Sequence, residues 1–439
     1  MQGNLTVPPH PLPDLTLNRR IFLAGGAAAG ASAGLAAWKF WPEQGIWNPC
    51  LARLPRRLAE HELVKAAWEG IDPQRVWDSH AHLVGTGDSA SGIRVNPRMN
   101  SLLNPGEYAR RLFFLNAGCV HDAAPGVGAD GRGGVDAAYV ERMHNLIDGL
   151  APGVKLLLFA FERCHDEKGG ILWDRTGLYV PDAYARDTAK RHRRYFEWVA
   201  SIHPYRADCV EALEDAKRDG ARAVKWLPAA MGMDPGSNLC DRFYSAAARL
   251  DLPLVSHAGL ERAVTGSDIQ DYGNPLRLRR ALDAGVRVII AHCASMGQDR
   301  DLDKGEGGPF VDSFELFARM MGEARYVGRL FGDISAMTQT NRAGTSLARA
   351  IREQAWHARL LNGSDYPLPG LMPIFSVEYI VSLGLLNPAA APVLTEIRAH
   401  NPLLFDFVLK RSLQVDGKRF PAAVFETREF FSSRSSVEG

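Results

Sequence analysis

The 439-residue sequence predicts an α/β protein folded as a (β/α)₈ barrel. Two observations support this fold class. From residue 75 onward, short apolar runs alternate with amphipathic helical stretches, which is typical of parallel sheets covered by helices. No G-x-G-x-x-G turn follows the first apolar run, which removes the main reason to prefer an open dinucleotide-binding sheet. The chain is long enough for one barrel with insertions and too short for three average domains.

The elements follow in a regular order. Residues 43–71 read as a linker and a helix that ends at Gly70, where leucines recur at roughly helical spacing. The barrel is expected over residues 72–412, and its predicted strands are 76–83, 154–161, 198–203, 221–227, 253–257, 286–292, 327–334 and 360–365. The clearest helices between them are 209–218, 243–250, 274–284, 314–323 and 346–354.

Two insertions interrupt the alternation. One occupies residues 84–152 and contains a glycine-rich piece at 126–134, and the other occupies residues 295–312. Both leave the C-terminal end of a predicted strand, which is where barrel enzymes keep their chemistry. They are therefore either substrate walls or simple surface elaboration. Residues 413–439 are predicted to form a C-terminal tail whose serine-rich end is disordered.

Residues 1–42 resemble an export signal. Arg19 and Arg20 precede a segment, 21–38, that is dominated by Ala and Gly, as in twin-arginine signals. The rival interpretation is a membrane span, but Ala and Gly gain little on entering hydrocarbon. We therefore expect a periplasmic protein or one anchored in the membrane and facing the periplasm, and the sequence leaves cleavage of the signal open.

The composition excludes several classes of protein. The net charge is +1 and basic residues form no stripe, so nucleic acid is not an expected partner. The six cysteines include no C-x-x-C pair, which argues against a zinc ribbon, and a chain of this length needs no disulfide framework. A small-molecule substrate is expected, and a homo-oligomer stays open.

The strongest chemical signal is the pair His80 and His82 in the first predicted strand. Residues two apart in a strand project from the same face, so both imidazoles can reach one cation. His257 and His292 end two further apolar strands, and Asp365 ends the last one. Because these ends meet at one mouth of a barrel, the residues predict a site for a divalent metal such as zinc, manganese or iron.

This pattern resembles the amidohydrolase superfamily, which has H-x-H on the first strand, often Lys on the fourth, His on the fifth and sixth, and Asp on the eighth. The resemblance extends to residues 401–405, which are similar to the closing helix of that family. Residues 199–204 and 224–228 are similar to the branch that contains lactone hydrolases and aminocarboxymuconate semialdehyde decarboxylase. The matching positions are His80, His82, Lys225, His257, His292 and Asp365.

The resemblance implies a role for each residue. His80, His82, His257 and Asp365 would hold one metal, zinc being expected and manganese or iron the alternatives. Asp365 would also act as general base toward water. His292 would bind a second metal or polarise a substrate oxygen. Lys225 would be a carbamate that bridges two metals, a free ammonium that attracts an anionic substrate, or a lysine with no role.

Other strand-end residues are candidates for substrate binding. His203, Arg206 and Glu162 fall on the same rim, although each has an equally simple structural explanation. Asp333 ends the seventh predicted strand and could orient a ligand histidine.

Three functions follow from these residues. The first is hydrolysis of a small lactone, amide or ester by metal-activated water. The alternative is non-oxidative decarboxylation of a small unsaturated carboxylic acid, which uses the same ligands. The third, a binding protein built on an inactive barrel, is disfavoured because the set of ligands is complete.

Overall fold

The computed structural model describes residues 45–51, 53–120, 134–264, 266, 269–305 and 307–432. The described residues from Trp47 onward belong to one compact unit. The proposed twin-arginine signal, most of the glycine-rich piece at 126–134 and residues 433–439 lie outside the described residues. Within the described part of the chain, none of the helices combines the length and apolarity needed to cross a membrane.

Eight parallel strands form the predicted barrel. The first three pair in chain order in one sheet, and the fourth to the eighth pair in chain order in a second sheet. A parallel bridge between Ala200 and Val224 joins the third strand to the fourth. A second bridge, between Ala81 and Tyr366, joins the chain after the eighth strand to the first. The strands are Trp77–His82, Lys155–Phe159, Phe196–Val199, Val224–Trp226, Leu254–His257, Val288–Ala291, Leu330–Asp333 and Leu360–Leu361.

The helices lie between these strands and after the last one. Most of the predicted helices are present within one to three residues of their expected ends, but the stretch 274–284 is a 3₁₀ turn, Pro275–Leu278, followed by a short α-helix. The described α-helices are Arg56–Ala59, Glu62–Trp68, Pro105–Ala117, Val135–Ile147, Asp182–Arg191, Cys209–Arg218, Pro228–Met231, Asp241–Arg249, Arg279–Asp283, Ser313–Met321, Thr345–Arg352, Val377–Ser382, Ala391–His400, Pro402–Ser412, Ala422–Phe425 and Arg428–Phe431.

Two hydrophobic layers hold the barrel together. The outer layer fills the space between the strands and the surrounding helices. The inner layer fills the barrel itself with side chains such as Trp77, Leu157 and Ile289. The barrel interior is therefore a packed core, and a cavity for chemistry is left only where the strands end.

The segment predicted as a tail packs against the barrel as far as Ser432. Phe431 is buried in the inner layer, and Phe430 contacts Phe331 with ring centroids 4.6 Å apart. Thr427 donates a hydrogen bond through its hydroxyl to the backbone oxygen of Trp77, at the start of the first strand. The residues after 412 therefore close the N-terminal end of the barrel, which the polar composition of the last few residues did not indicate.

A disulfide between Cys50 and Cys119 fastens the chain before the barrel to the first insertion. The wide spacing of the cysteines did not predict this pair. Nearby, Trp47 stacks on Phe113 with ring centroids 5.0 Å apart. Asn48 accepts and donates hydrogen bonds with Asn116 and also donates to the backbone oxygen of Gly370. The helix Pro105–Ala117 is thus held against the loop that follows the eighth strand.

We expect replacement of both Cys50 and Cys119 by Ser to lower the free energy of unfolding by about 2–4 kcal/mol. The reason is that the bridge closes a loop with a sequence separation of 69 and restricts the unfolded chain. Urea denaturation of the oxidised protein and of the double variant measures the difference. Dithiothreitol should destabilise the wild type but leave the double variant unchanged, and equal midpoints for the two oxidised proteins would contradict the expectation.

Candidate metal centre

Three predicted ligands converge at the C-terminal mouth of the barrel. His80 and His82 project from the first strand, and their Nε2 atoms lie 3.2 Å apart. Oδ1 of Asp365 lies 3.0 Å from Nε2 of His82 and 3.3 Å from Nε2 of His80. Their ligand atoms lie within 4.8 Å of one another, as one divalent ion requires.

The backbone around this site is unusual. Asp365 has φ of +60° and His292 has φ of +55°, a left-handed conformation that residues other than Gly rarely adopt. The backbone nitrogen of Asp365 donates to the oxygen of His80 at 2.8 Å, so the turn is held against the first strand. Such conformations cluster at functional sites, where the surrounding structure maintains them.

The environment of His80 fixes which ring nitrogen carries the proton. Its Nδ1 lies 2.8 Å from Oδ2 of Asp333 and donates to this carboxylate, which leaves the lone pair of Nε2 directed at the ligand group. Burial lowers the pKa of His80 to about 4, so the ring is neutral at pH 7. Asp333 therefore orients a ligand histidine, as its place at the end of the seventh strand suggested.

His292 is oriented in the same way. Its Nδ1 lies 3.0 Å from the backbone oxygen of Ser335, which can only accept, so Nδ1 carries the proton. Burial lowers the pKa of His292 to about 3, and its unprotonated Nε2 lies 3.7 Å from Oδ2 of Asp365. Two acceptors that face each other repel unless a cation lies between them. The donor set of His80, His82 and Asp365 therefore fits a divalent metal, and the unprotonated Nε2 of His292 faces the same carboxylate.

His257 lies beside this group. Neither of the two clusters of described residues whose ligand atoms come within 4.8 Å includes it, although its ring centroid is 5.4 Å from that of His292. Its buried Nε2 lies 3.3 Å from Oε2 of Glu261 but makes no hydrogen bond with any described residue. Burial lowers the pKa of His257 to about 3, so its free lone pair is available to a ligand. His257, the predicted fourth ligand, thus lies next to the group formed by His80, His82 and Asp365 and is not part of it.

Lys225 lies against the ligand group. Its Nζ is 3.2 Å from Nε2 of His80, and the side chain is almost completely buried. Burial lowers the pKa of Lys225 to about 8, which makes the neutral amine more accessible than in a surface lysine. Both functional interpretations of Lys225, as a carbamate or as a free ammonium, agree with this position.

The predicted substrate residues Glu162, His203 and Arg206 lie elsewhere. Glu162 accepts from Arg206 at 2.7 Å, and Arg206 also pairs with Asp208. His203 donates through Nε2 to the backbone oxygen of Met231 at 3.0 Å. These polar groups already have protein partners, and none of the three residues lines the cavity at the metal centre. These contacts hold the rim together, and the part of the three residues in substrate binding stays a prediction.

Sequence reasoning missed several residues of the cavity, and two of them carry buried donors without a partner among the described residues. Arg342 and Gln339 follow the seventh strand and line the cavity. Arg342 is 7% exposed, and its Nε and Nη1 atoms, like Nε2 of Gln339, have no hydrogen-bond partner among the described residues. Such buried donors are costly unless a ligand satisfies them. The one available signal was their position on a loop that leaves the C-terminal end of a strand.

The cavity has a volume of about 300 Å³. The ligand residues, Lys225 and His257 line it, and so does a wall supplied by the first insertion. The second insertion forms a small hairpin, Gln298–Arg300 with Phe310–Asp312, and contributes only Met296 to the described lining. Of the two insertions, the first therefore contributes more of the described cavity lining, and its role as a substrate wall stays a prediction.

We expect Asp333→Asn to lower metal affinity about 10–100-fold. Asp333 accepts from His80 through one oxygen and from the backbone nitrogens of His292 and Ser335 through the other, and an amide can replace only one of these oxygens. Competition with a chelator measures the affinity. Asp241→Asn, at a surface aspartate paired with Arg280, is the control, and unchanged affinity in the Asp333 variant would contradict the assigned role.

The fold and the site together define a metal-dependent enzyme built on a (β/α)₈ barrel. The chain belongs to the Amidohydrolase family, whose model matches residues 163–386, just over half of the sequence. The matched range contains Lys225, His257, His292 and Asp365, whereas His80 and His82 precede it. A search of curated protein sequences finds no significant match.

Several solved structures are similar to this chain. One is an uncharacterized TIM-barrel protein from Bordetella bronchiseptica, with 14% identity, coverage of 75% of this chain and 99% of that chain, and a TM-score of 0.44. Another is 4-oxalomesaconate hydratase from Rhodopseudomonas palustris, with 14% identity, 75% and 96% coverage and a TM-score of 0.39. A third is 5-carboxyvanillate decarboxylase from Novosphingobium aromaticivorans, complexed with manganese, with 12% identity, 66% and 79% coverage and a TM-score of 0.39.

Proposed function

We propose that this protein is a metal-dependent hydrolase that acts on the carbonyl group of a lactone, amide or ester. The observation that carries the proposal is the carboxylate of Asp365, whose Oδ1 lies 3.0 Å from Nε2 of His82 and whose Oδ2 lies 3.7 Å from Nε2 of His292 at the mouth of the barrel. His80, His82 and Asp365 would hold one divalent metal, for which we propose zinc, with manganese or iron as alternatives. When bound, such a metal supplies Lewis-acid activation of water and of the carbonyl oxygen.

The residues of the chain supply the proton transfers. Asp365 is the general base, because its carboxylate is buried at the site and can take a proton from water at an oxygen. His292 can accept a proton at Nε2, since Nδ1 is committed to Ser335. Lys225, as an ammonium, would attract a substrate with negative charge and would stabilise negative charge that develops on oxygen.

A second candidate is the decarboxylation of a small unsaturated carboxylic acid. The specific observation in its favour is the pair of unsatisfied donors on Arg342 and Gln339, which suit a carboxylate in the cavity. A hydrolase with an anionic substrate would use the same donors. Both candidates belong to the branch of the superfamily that the sequence resembles, and only the reaction products separate them.

The test is metal analysis followed by a product screen. Protein purified without added metal is analysed beside Lys225→Ala, and one metal per chain in both would favour a mononuclear site with a free lysine. Dihydrocoumarin, para-nitrophenyl acetate and simple amides are then offered beside unsaturated carboxylic acids, with released CO₂ monitored. Chelator-sensitive hydrolysis supports the proposal, release of CO₂ supports the second candidate, and activity that survives complete metal removal overturns both.

We also propose that the protein is exported by the twin-arginine route to the periplasm, either released or anchored by its N-terminal segment. The disulfide Cys50–Cys119 supports this proposal, since such bridges persist in oxidising compartments. The proposed partner is a small molecule rather than nucleic acid. A reporter fused after residue 45 and its variant with both Arg19 and Arg20 replaced by Lys test the export route.

A further inference from the structure

The first insertion lines one side of the cavity with four apolar side chains and with the two arginines Arg110 and Arg111. Val95 belongs to a short strand, Met99 to the following 3₁₀ turn, and Phe114 and Leu115 to the helix Pro105–Ala117. All of them line the cavity, and none of them has a side chain that donates or accepts a conventional hydrogen bond. These four side chains can therefore contact a ligand only by removing apolar surface from water, beside the guanidinium groups of Arg110 and Arg111.

The loop after the eighth strand completes this side of the cavity. Leu368, Leu371 and Ile374 line it beside the insertion helix. A second groove lies next to it and shares Phe114, Leu371 and Ile374 as lining residues. The apolar wall thus continues from the metal centre past Phe114 toward the outside of the protein.

The wall is fixed in place before any ligand binds. The disulfide Cys50–Cys119 attaches to the chain just after the insertion helix, and Trp47 stacks on Phe113 of the same helix. Asn48 links that helix to the oxygen of Gly370 in the loop opposite. A surface that is already ordered loses little conformational entropy on binding, so apolar contacts made to it contribute more fully to affinity.

We propose that this wall binds an extended apolar body, an alkyl or aryl-alkyl chain, of a substrate whose reacting carbonyl or carboxyl group lies at the metal centre. The inference rests on the proposed function for the position of the reacting group. The wall combines the insertion at residues 84–152, which precedes the range matched by the family, with Leu368, Leu371 and Ile374, which lie inside that range. The substrate class is accordingly an amphiphilic ester, amide, lactone or acid rather than a compact polar one.

The test is the binding of a homologous series of alkanoates to the metal-loaded protein by calorimetry. Butanoate, hexanoate, octanoate and dodecanoate share one head group and differ only in apolar length. We expect affinity to rise about threefold to fourfold for each methylene group that becomes buried, until the wall is filled. The heat-capacity change should become more negative along the series.

Variants locate the effect. Phe114→Ser and Leu371→Ser, on the two sides of the wall, should bind dodecanoate more weakly and leave butanoate unchanged. Leu103→Ser is the matched control, because Leu103 lies in the same insertion, is 91% exposed and does not line the cavity. Affinity that is independent of chain length in the wild type would overturn the inference, and this arm requires no variant to fold.

Different experimental results would refute this inference and the proposed function. A protein that binds the series as expected but hydrolyses no carbonyl substrate would refute the function and keep the apolar subsite. A chelator-sensitive hydrolase with equal affinity for butanoate and dodecanoate would keep the function and refute the subsite.

Discussion

Replacing Asp365 by Asn is expected to lower kcat about a hundredfold to ten-thousandfold, the usual contribution of a positioned acid or base. The amide keeps the size of the side chain and can still offer an oxygen 3.0 Å from His82, but it cannot accept a proton from water. The measurement is the pH profile of kcat with the best ester or lactone from the product screen, together with the metal content of the variant.

The pH profile and the metal content together distinguish a role of Asp365 as general base from a role as metal ligand. A variant that retains its metal and loses the acidic limb of the profile supports the general base. A variant that loses its metal instead would identify Asp365 as chiefly a ligand, and a variant with unchanged kcat and metal content would contradict both roles. Asp241→Asn, far from the cavity and exposed, provides the control for an added amide.

The second large effect concerns stability. Lys410 and Asp406 form a buried ion pair, with Nζ 2.7 Å from Oδ2, and the same Nζ donates to the oxygen of Gly363 at 2.7 Å. We expect Lys410→Met to lower the free energy of unfolding by about 3–5 kcal/mol, because it leaves the Asp406 carboxylate buried without its partner. Urea denaturation followed by circular dichroism measures this loss.

The loss should depend on pH. Burial raises the pKa of Asp406 to about 7 even with Lys410 present, and removal of the ammonium raises it further. In acid, below the ordinary carboxyl pKa, Asp406 is protonated in the folded and unfolded chains, so the deficit is smallest. Between the ordinary carboxyl pKa and about 7, the folded wild type and the folded variant both keep Asp406 protonated, so the deficit stays nearly constant. Above about 7, Asp406 ionises in the folded wild type but not in the folded variant, so the deficit grows.

A matched double variant tests the cause. Asp406→Leu combined with Lys410→Met removes both charges and should recover most of the stability. A deficit in Lys410→Met that does not vary with pH, or a double variant as unstable as the single one, would contradict the assignment to an unpaired carboxylate.

The strands show how far the sequence could predict this fold. Buried parallel strands are continuous apolar runs, so all eight were located. Several strands were predicted to extend too far at their C-terminal ends, where the chain leaves the hydrogen-bonded sheet to form the site. The eighth strand was expected over 360–365 but ends at Leu361, because Gly363 passes so close to His80 that an added Cβ would lie 2.6 Å from its Cβ. The spacing of apolar residues therefore could not predict the change of chain direction that places Asp365.

The site also contains residues that the sequence could predict and residues that it could not. His80 and His82 were predictable because two-residue spacing in a strand fixes a common face. Arg342 could not be predicted, since its approach to the cavity depends on the path of an irregular loop. Arg206 was given a binding role from its place on the rim. It pairs with Asp208, two residues later, and its binding role stays a prediction.

The closure of the barrel base by Phe431 has a practical consequence for protein engineering. The candidate metal centre and the base of the barrel are at opposite ends of the same strands. Variant libraries aimed at new substrates can therefore change residues around the metal centre while the residues that close the base are kept. The same feature limits truncation. A chain that ends before Ser432 would expose apolar surface of the barrel interior to water, and exposed apolar surface promotes aggregation. Purification tags are therefore best appended after Gly439 rather than substituted for the helices Ala422–Phe425 and Arg428–Phe431.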